Sequence, residues 1–299
     1  MRKELLKRDI REHEMTMKEK EELASEVFQS LTIQDDFMFA SVMKDKAICL
    51  KVLNILLKDY FEIGSIELTT PEATIKNHPE LKFVRLDVLA TDEAGNSYDI
   101  EMQVINRKNI EKRMRAYQVA IDMFKMQKGK AYNALTNTII IFITPFDPFG
   151  AGLPVYFFDK CARGNSSIKL DDGVYKVVFN TKAFEDAEDE MLKDILRFFH
   201  TGKATCAVAK EMEMKIEAIK SDSMIFAEFF PAIAQLIDAR DDGEEEGIAK
   251  GIEKGRKEGI EEGIEKRNIE LAKFFRDSGV SLDKIAEATG LTEKEIEKL

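Results

Sequence analysis

Two carboxylates lie on the two arms of what the stretch "VRLDVLATDEAGNSYDIEMQV" (residues 84–104) predicts to be one β-hairpin. The residues "EAG" at 93–95 suit a three-residue hairpin loop that ends in a left-handed glycine. In the register set by that loop, Asp87 faces Glu101 with Cβ atoms about 4.5–5.5 Å apart. Two like charges at this distance destabilise each other, and a hard divalent cation such as Mg²⁺ would compensate.

The same register divides the hairpin into an apolar face and a polar face. The apolar face is predicted to hold Leu86, Val88, Ala90, Ile100, Met102 and Val104. The polar face is predicted to hold Arg85, Asp87, Asp99, Glu101 and Gln103. One alternative stays open, namely that the polar face is exposed to water, where opposed acids cost little and Arg85 neutralises one of them.

The most basic part of the chain follows the hairpin directly. The whole protein has a net charge of −11, yet residues 107–130 hold eight basic and two acidic residues, a net of +6. Cations that hold phosphate beside carboxylates that hold a metal are the groups needed to hydrolyse a phosphodiester. This local charge favours a nucleic-acid partner despite the acidic total.

The elements that must position these residues alternate between helices and strands. Helices are predicted for a charged arm at 1–29, for Asp36 to Lys58, for Lys108 to Gln127 with Gly129 at its end, and for Lys182 to Ala239. Strands are predicted in "IGSIELT", the hairpin, "TIIIFIT" (138–144), "LPVYFFDKC" and "VYKVVFN", with a turn at Asp172-Gly173. This order predicts an α/β or mixed α+β fold, with a central sheet between helices.

The composition fits a soluble chain of 299 residues with 44% hydrophobic and 34% charged residues. No apolar run reaches the ~18 residues that span a bilayer, and the N-terminus lacks the features of a secretory signal. The three cysteines have no CxxC spacing, so we expect buried, reduced thiols, a cytoplasmic location and no membrane partner.

Beyond residue 240 the composition changes to a glycine repeat. Glycine occurs every fourth residue from Gly243 to Gly263, and six glycines would cost a helix roughly 5–6 kcal/mol relative to alanine. Such a helix should fray alone, whereas a second copy could pack closely along it. A flexible linker and self-association into a homo-oligomer both remain open.

The last twenty residues predict two short helices around Gly290, with Thr292 and Glu295 as a capping box. Their size resembles a helix-turn-helix, but five acidic and three basic residues make a poor DNA-binding surface. We therefore favour packing or assembly over DNA binding for this unit. The predicted organisation is an arm (1–30), a core domain (31–239) and a helical tail (240–299).

An ordered set of motifs resembles the PD-(D/E)XK nucleases, in particular their recombination-promoting nuclease and putative transposase branch. The motifs are "DDFMFASVM" (35–43), "RLDVLATDEAGNSYDIEMQ" (85–103), "RMRAY" (113–117), "GKAYNALTNTIIIFI" (129–143) and the glycine-repeat tail with its "LDKIAEATGLTEKEIEKL" ending. The resemblance implies a restriction-endonuclease-like core, with a mixed central sheet flanked by helices, and a Mg²⁺-dependent DNA endonuclease, Mn²⁺ being the alternative metal. It also implies a role in recombination or mobile-element biology.

The resemblance further assigns roles to individual residues. Asp87, Glu101 and the backbone carbonyl of Met102 would bind the metal, Gln103 would orient the attacking water, and Asp36 would reach the metal through water. Phosphate contacts are expected from Arg85, Arg113, Arg115 and Tyr117. For Arg113 the alternative is an ion pair with a carboxylate, and for Tyr117 it is packing between helix and sheet.

Gln103 occupies the place where the superfamily signature has lysine. An amide can donate a hydrogen bond but carries no charge and cannot lower the pKa of water, so cleavage would depend more heavily on the metal. The second hypothesis is therefore a DNA-binding or assembly protein that keeps the fold with weak or no turnover. A third is a scaffold that associates through its tail.

Overall fold

The computed structural model describes residues 15–69, 86–126 and 131–299. The chain forms two compact units, the first ending at Pro231 and the second comprising Ala232–Leu299. The candidate site lies wholly in the first unit.

Three helices precede the sheet: α1 (Met17–Gln29), α2 (Asp36–Met43) and α3 (Lys46–Leu56). The single helix predicted from Asp36 to Lys58 is wrong, because Asp45 interrupts it. Its carboxylate accepts hydrogen bonds from the N–H groups of Ala47 and Ile48 and so begins a new helix.

Helix α1 packs into the first unit instead of standing away from it as an arm. Its residues Leu23, Val27 and Phe28 are buried. The Phe28 ring contacts the rings of Phe37 and Phe229. The described part of the N-terminal segment therefore belongs to the core.

A six-stranded mixed sheet forms the centre of the first unit, in the order β1-β2-β3-β4-β8-β5. Its strands are β1 (Ile66–Thr69), β2 (Val88–Asp92), β3 (Ser97–Met102), β4 (Thr138–Thr144), β5 (Val155–Phe158) and β8 (Val174–Asn180). Strands β3, β4 and β8 run parallel, and the other pairs are antiparallel. The predicted central strand at 138–144 is confirmed, with every residue buried.

Helices cover both faces of this sheet. Helix α4 (Ile110–Lys125) packs one face through Met114, Tyr117 and Ile121, against Ile140 and Phe142 of β4. On the other face, α3 packs near β1, and Phe61, in the segment that follows α3, contacts the rings of Tyr98 and Tyr175. The predicted mixed sheet between helices is therefore confirmed. Gly129, expected to end α4, lies outside the described residues.

The remaining elements include a small hairpin that the sequence pattern did not indicate, with β6 (Cys161–Ala162) and β7 (Asn165–Lys169). Cys161 in this hairpin is exposed, so the expectation of buried thiols holds only for Cys49 and Cys206. Further helices are α5 (Glu190–Thr201), α6 (Ala207–Ser221), α7 (Ser223–Asp277), α8 (Leu282–Thr289) and α9 (Glu293–Lys298).

Helix α7 runs through the glycine repeat, and the expectation that it frays without a partner stays a prediction. In the second unit, Ala272, Ile285 and Ile296 form a small core that joins the end of α7 to α8 and α9. Gly290 adopts a left-handed conformation with φ of 71°, and the predicted capping box begins α9. Among the described helices, none combines the length and apolarity needed to cross a membrane.

Candidate active site

The hairpin of β2 and β3 has the predicted register. Leu89 pairs with Asp99, and Val88 pairs with Ile100. Gly95 supplies the left-handed loop residue, with φ of 84°, and Asp92 and Asn96 close the loop through a 3.0 Å hydrogen bond between backbone N–H and carbonyl.

On the polar face of this hairpin, the two acids of β3 are buried, whereas Asp87 and Gln103 are half-buried. The exposed fractions are 0% for Asp99 and 2% for Glu101, so the alternative of a polar face open to water is wrong. The cause is long-range packing, because α4 packs against the neighbouring strand β4 and its Arg113 contacts Glu101 directly.

Two positions at the ends of the predicted apolar face depart from the alternation. Leu86 packs in the same cluster as Leu89 and Ile121, because the regular strand begins only at Val88. Val104 is 38% exposed, because β3 ends at Met102.

Asp87 and Glu101 come together as predicted and are linked through the backbone. The Asp87 N–H donates to Glu101 Oε1 at 2.8 Å, and the Met102 N–H donates to Asp87 Oδ2 at 3.2 Å. Burial, together with Asp99 and Asp87, raises the pKa of Glu101 well above its ordinary value. The acids therefore form a site that strongly favours an added positive charge.

Asp99 is the residue that the sequence reasoning missed. The alternation predicts its place on the polar face but gives it no role, and neither of its carboxylate oxygens has a hydrogen-bond partner among the described residues. Burial and the nearby Asp87 raise the pKa of Asp99 well above its ordinary value, against a smaller lowering by Arg113. Its position two residues before Glu101, on the same strand face, was the signal available in the sequence.

Arg113 and Tyr117 both reach the carboxylates, one helical turn apart on α4. Arg113 Nη2 lies 3.3 Å from Glu101 Oε2 and 2.5 Å from the Tyr117 hydroxyl oxygen, to which it donates. The guanidinium also lies over the rings of Tyr117 and Phe142, 5.2 Å from each centroid. Burial, followed by the charge of Glu101, raises the pKa of Tyr117 to about 12, so its hydroxyl stays protonated at neutral pH.

The alternatives to phosphate binding were an ion pair for Arg113 and packing for Tyr117, and the structure contains both contacts. Arg113 forms an ion pair with a carboxylate, and Tyr117 packs between helix and sheet against the Phe142 ring, with centroids 5.8 Å apart. The phosphate-binding role of both residues remains a prediction.

Gln103 follows Glu101 by two residues, but its side-chain amide bonds to the backbone two residues further on. Its Nε2 donates to the carbonyl oxygen of Ile105 at 2.7 Å, while its backbone N–H donates to the Ile143 carbonyl oxygen. Neither contact joins its amide to a carboxylate, so its role in orienting water stays a prediction.

Three other predicted site residues, Asp36, Arg115 and Arg85, are not part of this cluster as the structure describes it. Asp36 is exposed at the first turn of α2, and no contact among the described residues joins it to Asp87 or Glu101. Arg115 is exposed on α4, two residues after Arg113. Arg85 lies outside the described residues.

The residues present fit a divalent cation through the chemistry of their donors. Asp87, Asp99 and Glu101 supply hard carboxylate oxygens, and both oxygens of Asp99 are buried without a partner. Within the described part of the chain, however, no group of three or more His, Cys, Asp or Glu residues has the arrangement of a formed metal site. Arg113 supplies the positive charge beside Glu101 in this structure.

Comparison with known families finds one match, which covers part of the chain. Residues 34–150 match the PD-(D/E)XK nuclease family transposase model. The resemblance inferred from the sequence is thus confirmed over this nuclease-family segment, and the mixed sheet agrees with a restriction-endonuclease-like α/β fold. The segment contains the hairpin, the buried acids and α4. No curated protein and no solved structure matches the chain.

Proposed function

We propose that the protein is a Mg²⁺-dependent DNA endonuclease that hydrolyses phosphodiester bonds, with Mn²⁺ as an alternative metal. The observation that carries the proposal is the cluster of three acids beside helix α4, in which Asp99 and Glu101 are buried and Asp87 is half-buried. Its place in the nuclease-family segment supports a DNA substrate. The same family likeness supports a role in recombination or mobile-element biology.

The acids and the backbone define where a cation would bind. Asp87 and Glu101 would hold it, and the Met102 carbonyl would be a further oxygen ligand. The buried Asp99, two residues before Glu101, would add negative charge nearby. When bound, the cation would polarise the phosphoryl oxygens and lower the pKa of the attacking water. Until then, the Arg113 guanidinium offsets the charge of Glu101.

The basic residues of α4 would hold the substrate. Arg113 and the Tyr117 hydroxyl lie beside Glu101, where they could donate to a non-bridging phosphate oxygen. Arg107, just before α4, and Lys112 and Arg115 on it are exposed and add positive charge to this segment. Gln103 would orient the water, and Asp36 would act through a water molecule, as the family resemblance implies.

The test is nicking of supercoiled plasmid by the full chain in Mg²⁺. We expect Asp87→Asn and Asp87→Ala to abolish nicking, because each removes a metal-binding carboxylate. The matched control is Asp59→Asn, which removes an exposed carboxylate in the same unit. Undiminished, metal-dependent cleavage by both Asp87 variants would refute the assignment.

A specific observation favours a second candidate, a DNA-binding protein with weak or no turnover. The Gln103 amide, expected to orient water, is hydrogen-bonded to the Ile105 carbonyl. Arg113, expected to bind phosphate, is paired with Glu101. DNA affinity without any product in Mg²⁺ or Mn²⁺, at all protein concentrations, would support this candidate over the first.

A further inference from the structure

An exposed loop joins β3 to α4, and its first two exposed residues are apolar. Residues 104–109 are all exposed, whereas Met102 before them and Ile110 after them are buried. The exposed fractions of Val104 and Ile105 are 38% and 59%. Apolar side chains in such a position gain free energy when a partner covers them.

Hydrogen bonds within this loop hold its backbone without using the two apolar side chains. Gln103 Nε2 donates to the Ile105 carbonyl oxygen at 2.7 Å, and the Lys108 N–H donates to Asn106 Oδ1 at 2.9 Å. Lys108 has a left-handed backbone with φ of 52°, which is uncommon for a residue other than glycine. A loop that is ordered before it binds loses little conformational entropy on binding.

The loop begins directly at the acids. The Met102 N–H donates to Asp87 Oδ2 at 3.2 Å, and Ile105 follows Glu101 by four residues. Because a chain spans at most about 3.3–3.6 Å per residue, the Cα atoms of Ile105 and Glu101 lie within roughly 14 Å of each other. The minor groove of B-DNA is about 6 Å wide and 7.5 Å deep, so a side chain at this distance from a phosphate at the acids can reach the base edges.

The charge of the same segment is complementary to a nucleic acid. Arg107, Lys108 and Lys112 are exposed, and Glu111 is the one acidic residue in the range 104–112. Cations that contact phosphates position a protein on DNA without contacting the bases. Apolar side chains beside such cations fit the space between neighbouring base pairs, where DNA-bending proteins insert them as wedges.

We propose that Val104 and Ile105 insert between neighbouring base pairs of duplex DNA, close to the phosphodiester at the acids. Arg107 and Lys108 contact the flanking phosphates, and the Gln103 amide holds the loop in position through the Ile105 carbonyl. This inference rests on the proposed DNA substrate and adds a contact to its bases. It also gives the amide at position 103 a role that needs no positive charge.

The experiment binds the full chain in Ca²⁺ to short duplexes that carry 2-aminopurine at successive positions, with the intact oligonucleotide verified afterwards. The fluorescence of 2-aminopurine rises when its base unstacks. We expect this rise with the wild type, its loss in Ile105→Ser, and a fall in affinity of about five- to tenfold in that variant. Ile105→Leu should retain both the rise and the affinity. The matched control is Ile168→Ser, which removes an isoleucine that is 57% exposed on β7 of the same unit.

A salt titration distinguishes apolar insertion from the loss of a phosphate contact. Ile105→Ser should leave the slope of log K against log salt unchanged, because an apolar contact releases no counterions. Arg107→Gln should reduce this slope by about 0.9. Gln103→Ala should reduce the fluorescence rise with an unchanged slope, because it releases the Ile105 carbonyl but removes no charge.

The outcomes separate this inference from the proposed endonuclease activity. Loss of the rise in Ile105→Ser but not in Ile168→Ser supports it, even when the wild type cleaves nothing. A wild-type complex without any rise, or equal affinity and equal rise in Ile105→Ser, overturns it even when the wild type nicks plasmid in Mg²⁺. A full chain that binds no duplex overturns both proposals. Since these side chains are exposed, the Tm of each variant should stay within about 2 °C of the wild type, and Val104→Ser provides a second, smaller loss of the rise.

Discussion

Replacing Asp99 by asparagine should stabilise the protein when no metal is present. The side chain keeps its size while losing a charge that lies fully buried, without hydrogen bonds, next to two other acids. Few buried carboxylates can be substituted with an expected gain, so the direction of the effect is informative.

The strand geometry gives the size of this gain. Asp99 and Glu101 are two residues apart on one strand face, about 6.6 Å at 3.3 Å per residue. Two unit charges at about 7 Å interact by roughly 2–3 kcal/mol at an effective dielectric constant near 20. Arg113 offsets part of this repulsion and protonation removes another part, so we expect a net gain of about 1–2 kcal/mol. For a unit of this size, that corresponds to a rise in Tm of about 2–8 °C.

The gain in the free energy of unfolding of Asp99→Asn should increase as pH rises. The folded-state pKa of Asp99 is raised, so the folded protein binds the proton more tightly than the unfolded chain does. Below the ordinary carboxyl pKa of about 4, Asp99 is protonated in both states and does not lower the free energy of unfolding of the wild type. This free energy falls as pH rises through the folded-state pKa. The advantage of Asp99→Asn should therefore be larger at pH 8 than at pH 5.

The assay is urea denaturation of the full chain in EDTA, with Asp59→Asn as the control that removes an exposed carboxylate. In Mg²⁺ at 100 times its Kd, the wild type should gain about 2.7 kcal/mol, and the variant should gain less, so the difference narrows or reverses. A loss of more than about 1 kcal/mol in EDTA would refute the reasoning, because it would mean that Asp99 has a stabilising partner.

Three further predictions concern Arg113, Tyr117 and the loop that contains Asp147. Arg113→Met should destabilise the protein by about 2–4 kcal/mol in urea denaturation, because it leaves Glu101 uncompensated, while the exposed Arg115→Met should change stability by less than about 0.5 kcal/mol. Tyr117→Phe should lower the free energy of unfolding by about 1 kcal/mol, since its hydroxyl accepts from Arg113; no change would mean that this hydrogen bond contributes nothing. Although burial alone would raise the pKa of Asp147, hydrogen bonds from Gly152 and other groups of its loop lower it to about 2. Asp147→Asn should therefore be destabilised above pH 4 by about 1 kcal/mol after allowance for solvent screening, with the difference vanishing as pH falls through 2; a constant difference across this range would contradict the assignment.

The sequence was sufficient for features set by local chemistry. The hairpin register follows from the loop at Gly95 and is confirmed, and the alternation fails only at Leu86 and Val104, outside the regular strands. The central strand at 138–144 was equally readable, because an uninterrupted apolar run indicates burial on both faces.

Features that depend on distant packing could not be read in the same way. Whether the Asp99 side chain is buried depends on α4, which is distant in the sequence, packing against β4 beside it. The apolar spacing from Asp36 onward continues through position 45, so the pattern predicted one helix although Asp45 ends it.

The most direct test of a cation site at the buried acids is a crystal of the full chain soaked in Mn²⁺ and measured for anomalous scattering. The proposal predicts a peak bound by Asp87 and Glu101 at about 2.0–2.2 Å, with Arg113 displaced from Glu101, and the loss of that peak in Asp87→Asn. A fully soaked crystal with no peak at these acids, and with Arg113 still bound to Glu101, would contradict it.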